Sequence, residues 1–134
     1  MTLTITIARP PGKLSPNARG HWSKLYRAKK AARDQAKLAA LGEWSPLEPP
    51  RWKRATVRIR WIMPTLAHHP DADNAIASLK AALDGISDWG IVDNDRGLHP
   101  VWEGIEVSKL YTDSQGNAWP RGCVVLTFSE GRPV

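Results

Sequence analysis

Residues 57–90 read VRIRWIMPTLAHHPDADNAIASLKAALDGISDWG, and this stretch contains the two periodicities that decide the fold. Apolar residues alternate with arginines from Val57 onward, which predicts a β-strand with a buried face, and Pro64 ends it. Apolar residues then recur three and four positions apart, which predicts an amphipathic helix at about 73–87, followed by Gly90. The apolar stripe of that helix consists of Ile76, Leu79, Leu83 and Ile86.

Further elements are predicted on both sides of this stretch. The remaining predicted elements are a strand at 3–7, a helix at about 22–41, and strands at about 101–111 and 123–128. Gly42 is the predicted stop of the first helix, and the turn residues at 113–117 predict a hairpin between the last two strands. The order β-α-β-α-β-β predicts an α/β (α+β) fold, a mixed β-sheet with two main helices in a single domain over residues 1–134.

Composition limits the class of protein. A chain of 134 residues suits one hydrophobic core. Cys123 is the single cysteine and lies in an apolar run, so we expect a buried, inert thiol. No apolar run approaches the roughly 20 residues that span a bilayer, and the N-terminus lacks a signal-peptide pattern. We therefore expect a cytoplasmic protein with no membrane partner.

Charge is distributed unevenly along the chain. Residues 1–70 carry fourteen Lys or Arg against three acidic residues, a net charge of +11. Residues 71–95 carry six Asp against Lys80, a net charge of −5, and residues 96–134 are balanced. A basic N-terminal half suits a nucleic-acid partner. A soluble protein with a basic surface is the alternative that charge alone leaves open.

The acidic segment opens with Asp71 and Asp73, which share a side of the chain if the run-in to the helix is extended. Pro70 favours that arrangement, with Asp71 in the run-in and Asp73 near the N-cap. Two carboxylates on one side can hold a hard divalent cation such as Mg²⁺. A plain N-cap is the alternative interpretation.

Lys80 lies about two helical turns beyond Asp73 and is expected on the same face. It can contact a phosphate, and Asp93-Asn94-Asp95 returns acidic groups after the helix. The alternatives are a solvated ion pair of Lys80 with Asp84 and a polar turn at 93–95. His68-His69 invites a zinc interpretation, but adjacent side chains point apart in an extended chain and no further ligands stand out.

Several motifs together resemble the RusA family of Holliday junction resolvases, which is common in bacteriophages and prophages. The motifs are Asp71-Ala72-Asp73-Asn74, Lys80-Ala81-Ala82-Leu83-Asp84, Asn94-Asp95 and the opening 14–22, LSPNARGHW. The resemblance covers nearly the whole chain. It departs at two points: Lys80 is two turns from the second aspartate instead of one, and the late double aspartate reads Asp-Asn-Asp.

The resemblance implies a homodimeric crossover junction endodeoxyribonuclease that cuts four-way DNA symmetrically with Mg²⁺, for which Mn²⁺ is a possible substitute. Its essential acids fall on Asp71, Asp73 and Asp95, with Asp93 as the alternative third ligand, and its catalytic lysine falls on Lys80. Such an enzyme acts in DNA recombination and repair, in the host cytoplasm if phage-encoded. The same resemblance is equally compatible with a role in debranching phage DNA.

The cations before the acidic segment are candidate contacts to the DNA backbone. They are Arg19, His21, Lys24, Arg27, Lys30, Arg58 and Arg60. Two other functions stay open: a branched-DNA-binding protein with impaired catalysis, to which Asn94 points, and a nucleotide phosphohydrolase.

Overall fold

The computed structural model describes residues 2–15, 22–44, 48–67 and 69–133. Its strands are β1 (Thr2–Ile7), β2 (Ala55–Met63), β3 (Leu98–Val107), β4 (Tyr111–Thr112), β5 (Ala118–Trp119) and β6 (Cys123–Glu130). Its helices are α1 (Trp22–Trp44), α2 (Ala72–Ser78) and α3 (Lys80–Trp89), with short 3₁₀ turns at Gly12–Leu14 and Asp95–Gly97. The predicted α+β class is confirmed.

Within the described residues, a four-stranded mixed sheet has the order β1-β6-β2-β3. Strand β6 pairs antiparallel with both β1 and β2, whereas β3 pairs parallel with β2. Parallel neighbours need a crossover connection, and α2 and α3 provide it between β2 and β3. Residues 57–90 therefore contain most of the first strand and the crossover helices of a β-α-β unit.

One face of the sheet and the helices enclose the main core. Ile5, Ile59, Leu126 and Phe128 are fully buried on this face, and Ile86 of α3 is buried against it. Each such side chain contributes about 1.5–3 kcal/mol through the loss of apolar surface to water. Helices α1 and α3 lie so close that a Cβ at Gly85 would collide with the carbonyl oxygen of Arg33.

The opposite face of the sheet carries a smaller apolar cluster. Ile62, Cys123 and Val125 are buried there beneath Tyr111 and Trp119 of the β4–β5 hairpin. Cys123 is a free thiol, as expected, and burial raises its pKa to about 11. A thiol with that pKa is protonated at neutral pH and therefore a poor nucleophile.

The prediction of one continuous helix at 73–87 is wrong, because the helix is interrupted at Leu79. The Ser78 hydroxyl donates to the Ala75 carbonyl at 2.7 Å, and that carbonyl would accept from the Leu79 N–H in an unbroken helix. The Leu79 N–H instead donates to the Ile76 carbonyl at 3.1 Å. Helix α3 then continues to Trp89 and ends at Gly90, whose φ of 119° is left-handed.

Two further boundaries differ from the prediction. Helix α1 passes through Gly42 to Trp44, since Gly42 is exposed and needs no left-handed φ. The turn at 113–117 closes the small β4–β5 hairpin and does not join the last two sheet strands. Strand β6 pairs with β1 and β2, so β3 and β6 are not neighbours.

Candidate functional site

Asp71 is the N-cap of α2. Its Oδ1 accepts from the Asn74 backbone N–H at 2.8 Å, and its Oδ2 accepts from the Asn74 side-chain amide at 3.3 Å. The prediction placed Asp71 in the run-in and Asp73 near the N-cap. In the structure, Asp71 is the N-cap and Asp73 lies in the first turn of the helix. Asn74 fixes the orientation of the Asp71 carboxylate, which keeps unused lone pairs for a cation.

Asp73 is exposed at the same helix start. Its carboxylate makes no hydrogen bond or ion pair with the described part of the chain. The Asp73 side chain therefore stabilises no described part of the fold through a hydrogen bond, in contrast to that of Asp71.

Asp95 begins the 3₁₀ turn that follows the crossover helices. Asn94 caps this turn, accepting from the Arg96 N–H at 3.0 Å through its side chain and from the Gly97 N–H at 2.8 Å through its carbonyl. The cap turns the exposed Asp95 toward a cleft of about 240 Å³ that Lys80 and Asp84 also line. We call it the Asp95 cleft.

Asp93, the alternative third acid, is placed differently. Its backbone N–H donates to the Trp52 carbonyl at 3.0 Å, next to the bridge between Trp52 and Val92. Its side chain is exposed, and it does not line the Asp95 cleft. Of the two late aspartates, Asp95 is the one that shares a cleft with Lys80.

Lys80 is the first residue of α3 and its Nζ lies 3.3 Å from Asp84 Oδ1. This is the i,i+4 ion pair that the sequence left open, and it engages the Lys80 ammonium group with Asp84. The Lys80 side chain is 74% exposed, so the pair is weak and the side chain is able to turn toward a bound anion.

The Asp95 cleft also contains a polar atom without a partner. Ser87 lines this cleft, and its hydroxyl oxygen is shielded from solvent yet forms no hydrogen bond with the described residues. Buried hydroxyls are usually hydrogen-bonded, so Ser87 is an exception among the described residues that line this cleft.

The carboxylates fit a magnesium ion only in a restricted way. Across the described ranges, no group of three or more His, Cys, Asp or Glu is arranged to hold a metal ion. The acids of α2 and Asp95 therefore do not form a closed protein cage. Mg²⁺ is commonly held by one or two carboxylates together with phosphate oxygens and water, and the Asp71–Asp73 pair suits that mode. His68 lies outside the described residues, and His69 is exposed.

A second and larger depression, the basic groove, lies between α1 and the α2–α3 crossover and has a volume of about 660 Å³. Its polar lining consists of Ser15, Lys29, Lys30, Arg33, Asp34, Ser78, Lys80 and Asp84. Its apolar lining consists of Leu14, Leu25, Tyr26, Ala77 and Ala81. Lys80 and Asp84 line both this groove and the Asp95 cleft, so the two depressions adjoin.

The candidate DNA contacts divide into separate regions. Arg19 and His21 lie outside the described residues, Lys24 and Arg27 are exposed on α1, and Lys30 lines the basic groove.

Arg58 and Arg60 lie on the sheet face that is turned away from the helices, because their strand neighbours Val57 and Ile59 face the main core. Arg60 is paired with Glu106 at 2.6 Å and lies 6.0 Å from the Tyr111 ring centroid. The structure therefore does not bring this pair of arginines together with the α1 cations.

Sequence reasoning missed three lining residues of the basic groove: Tyr26, Lys29 and Arg33. Their spacing of three and four along α1 places them on one helix face, and that spacing is the signal that identifies them. Arg33 is also structural, since it forms a bidentate pair with Asp88 at 2.5 and 2.9 Å. The hydrogen bond from Arg33 lowers the pKa of Asp88.

No protein-family model matches the chain. A protein of Xylella fastidiosa (strain Temecula1 / ATCC 700964), described as an uncharacterized protein, is 39% identical over 102 residues. The match covers 75% of this chain and 66% of that protein. No helix in the described segments is both long and apolar enough to cross a membrane.

Proposed function

We propose that this protein is a magnesium-dependent endodeoxyribonuclease that resolves four-way and branched DNA by phosphodiester hydrolysis. The observation that carries the proposal is the position of Lys80 between the basic groove and the Asp95 cleft. A phosphodiesterase needs cations that bind the DNA backbone next to carboxylates that act at the phosphorus centre. Lys80 adjoins both kinds of group.

Each residue has a distinct role in this proposal. Asp71 and Asp73 bind the cation, and Asn74 holds the Asp71 carboxylate in one orientation. Asp95, which lines the Asp95 cleft together with Lys80, accepts a proton from the attacking water. Lys80 leaves Asp84 and contacts a phosphate oxygen as negative charge develops on it.

Magnesium bound at the carboxylate pair would polarise the phosphoryl oxygen and lower the pKa of a coordinated water molecule. The donor set suits this ion, since all its members offer carboxylate oxygens. Because DNA supplies phosphate oxygens, the protein need not close the coordination shell itself.

A four-way junction requires two cuts related by symmetry, so the proposal includes a homodimer with two equivalent sites. Recombination, repair and the debranching of phage DNA all need this reaction.

The test uses a synthetic four-way junction with labelled strands, incubated with and without Mg²⁺ beside a linear duplex of the same sequence. The unmodified protein is expected to cut the junction in paired positions only with Mg²⁺ and to leave the duplex intact. Asp73→Asn is expected to bind the junction and not to cut it. Glu103→Gln, an exposed acid on β3, is the matched control and is expected to cut normally. Full cleavage by Asp73→Asn would contradict the proposal.

A second function is favoured by one specific observation. The described residues hold no group of three metal-ligating side chains, and Asn94 stands beside Asp95. A branched-DNA-binding protein without catalysis would need no such group. Junction binding that is independent of metal, with no nicking by the unmodified protein, would support this alternative.

A further inference from the structure

The basic groove has a shape and lining that binding of the DNA backbone alone does not require. Its volume of about 660 Å³ falls in the range of about 300–1,000 Å³ that is typical of small-molecule pockets. A surface that only follows a phosphate backbone needs cations and little concavity. The groove therefore has room for a whole nucleotide.

The apolar part of the groove provides a surface for a flat base. Tyr26 lines the groove and is 61% exposed. Leu25 lies beside it on α1, and the small residues Ala77 and Ala81 form the opposite wall. Aromatic side chains with an open ring face stack on bases of any sequence.

The charged part of the groove provides contacts for phosphates. Arg33 and Lys80 are engaged by Asp88 and Asp84, whereas Lys29 and Lys30 form no ion pair with any described residue. Asp34 also lines the groove, and the two unpaired lysines outweigh its charge. The uncommitted positive charge thus lies on α1, three and four residues beyond Tyr26.

We propose that the basic groove holds one unpaired nucleotide of a branched DNA, with its base on Tyr26 and its phosphates on Lys29 and Lys30. A base that remains stacked and paired in a duplex cannot enter a pocket of this size, so the nucleotide must be unpaired. Since Lys80 lines both depressions, the captured nucleotide would lie next to the Asp95 cleft. This inference rests on the proposed function, and it adds a preference for branch points with unpaired bases.

The test measures binding without cleavage, in EDTA, by fluorescence anisotropy. Two labelled four-way junctions of equal sequence are compared, one fully paired and one with two unpaired thymidines at the branch point. The unmodified protein is expected to bind the second junction at least tenfold more tightly. Tyr26→Ala is expected to reduce that preference to less than twofold, whereas Tyr26→Phe retains it.

Two further variants sharpen the result. Lys29→Ala with Lys30→Ala is expected to weaken binding of both junctions at least tenfold and to flatten the salt dependence. Leu38→Ala, on α1 and 67% exposed outside the groove, is the matched control and is expected to bind as the unmodified protein does. Equal binding of the two junctions by the unmodified protein, or an intact preference in Tyr26→Ala, would overturn the inference.

The outcome is separable from that of the proposed function. Asp73-dependent cutting without a preference for unpaired bases would overturn the groove inference alone. A Tyr26-dependent preference in a protein that never cuts would support the groove inference and contradict the nuclease.

Discussion

Asp71 at the start of α2 and Asp113 in the β4–β5 hairpin accept similar hydrogen bonds but differ in how fully those bonds occupy them. Asp113 Oδ1 accepts from the backbone N–H groups of Gln115 and Asn117, each at 2.9 Å. Its Oδ2 accepts from the Trp119 indole N–H, also at 2.9 Å. Burial opposes ionisation of Asp113, yet these hydrogen bonds outweigh it and lower its pKa.

The aspartates of the candidate site accept fewer hydrogen bonds than Asp113 does. Asp71 is bonded to Asn74 alone, and Asp73 and Asp95 have no side-chain partner among the described residues. An aspartate whose oxygens are all engaged stabilises a turn, whereas an exposed one without partners contributes little to folding and is available to a ligand. The comparison separates acids whose oxygens are engaged in hydrogen bonds from acids that remain available to a ligand, a distinction that residue type alone cannot make.

The largest expected effect is on cleavage, through Asp95. Asp95→Asn should lower the rate of junction cutting by about 100-fold or more, as expected for loss of a group acting at the metal or the attacking water. Asp93→Asn should change the rate less than threefold, since Asp93 lies outside the Asp95 cleft. Single-turnover kinetics on the four-way junction measures both. A larger loss of cutting in Asp93→Asn than in Asp95→Asn would make Asp93, and not Asp95, the third acid of the site.

A substitution of Asp113 in the β4–β5 hairpin should lower the stability of the protein and leave junction cutting unchanged. Asp113→Ala removes the acceptor for the Trp119 indole and for two backbone N–H groups, and should lower the free energy of unfolding by about 2 kcal/mol. Urea unfolding measures this, with the exposed Ser114→Ala as control. Cutting at a temperature well below the melting transition should persist. If Asp113→Ala lost cutting while its stability stayed unchanged, the distinction between Asp113 and the acids of the candidate site would be contradicted.

Asp71 caps α2 and, in the proposed function, also binds the cation, and two substitutions separate these roles. Asp71→Ala should cost about 1 kcal/mol of stability, because the N-cap is lost. Asp71→Asn should preserve stability to within a few tenths of a kcal/mol, since Asn caps as well as Asp, and should still abolish cutting because the anionic ligand is gone. Thermal unfolding and junction cleavage are measured on both. Equal destabilisation by Asp71→Ala and Asp71→Asn would argue against the capping role of Asp71.

The smallest expected effect concerns the Arg33–Asp88 pair, whose side chains are 48% and 41% exposed. Asp88→Asn should destabilise the protein by less than about 1 kcal/mol at pH 7. Because the pKa of Asp88 is lowered in the folded state, this contribution is present above the ordinary aspartate pKa of about 3.9. It is lost as pH falls through the lower folded value. The stability difference between the two proteins should therefore shrink steadily as the solution is acidified below the ordinary aspartate pKa.

Local patterns predicted most of the secondary structure. The alternation at β1 and β2 and the spacing in α3 are local consequences of which side chains must be buried, so they are readable without a tertiary structure. The break at Leu79 was missed because the Ser78 side chain competes for the Ala75 carbonyl, and hydrophobic periodicity carries no information about that competition. The pairing of β6 with β1 and β2 was missed because the choice between strand partners depends on contacts distant in the chain.

By itself, then, the sequence determined the α+β class, the acidic segment at 71–95 and the candidate residues Asp71, Asp73, Asp95 and Lys80. The tertiary structure decided which of these face one another. It placed Asp95 in a cleft with Lys80 and left Asp93 outside, and it set Arg58 and Arg60 on the far side of the sheet. It also assembled the basic groove from α1 and the crossover helices. The physical reason is that residue type and spacing act along one segment, whereas a cleft forms only where segments pack together.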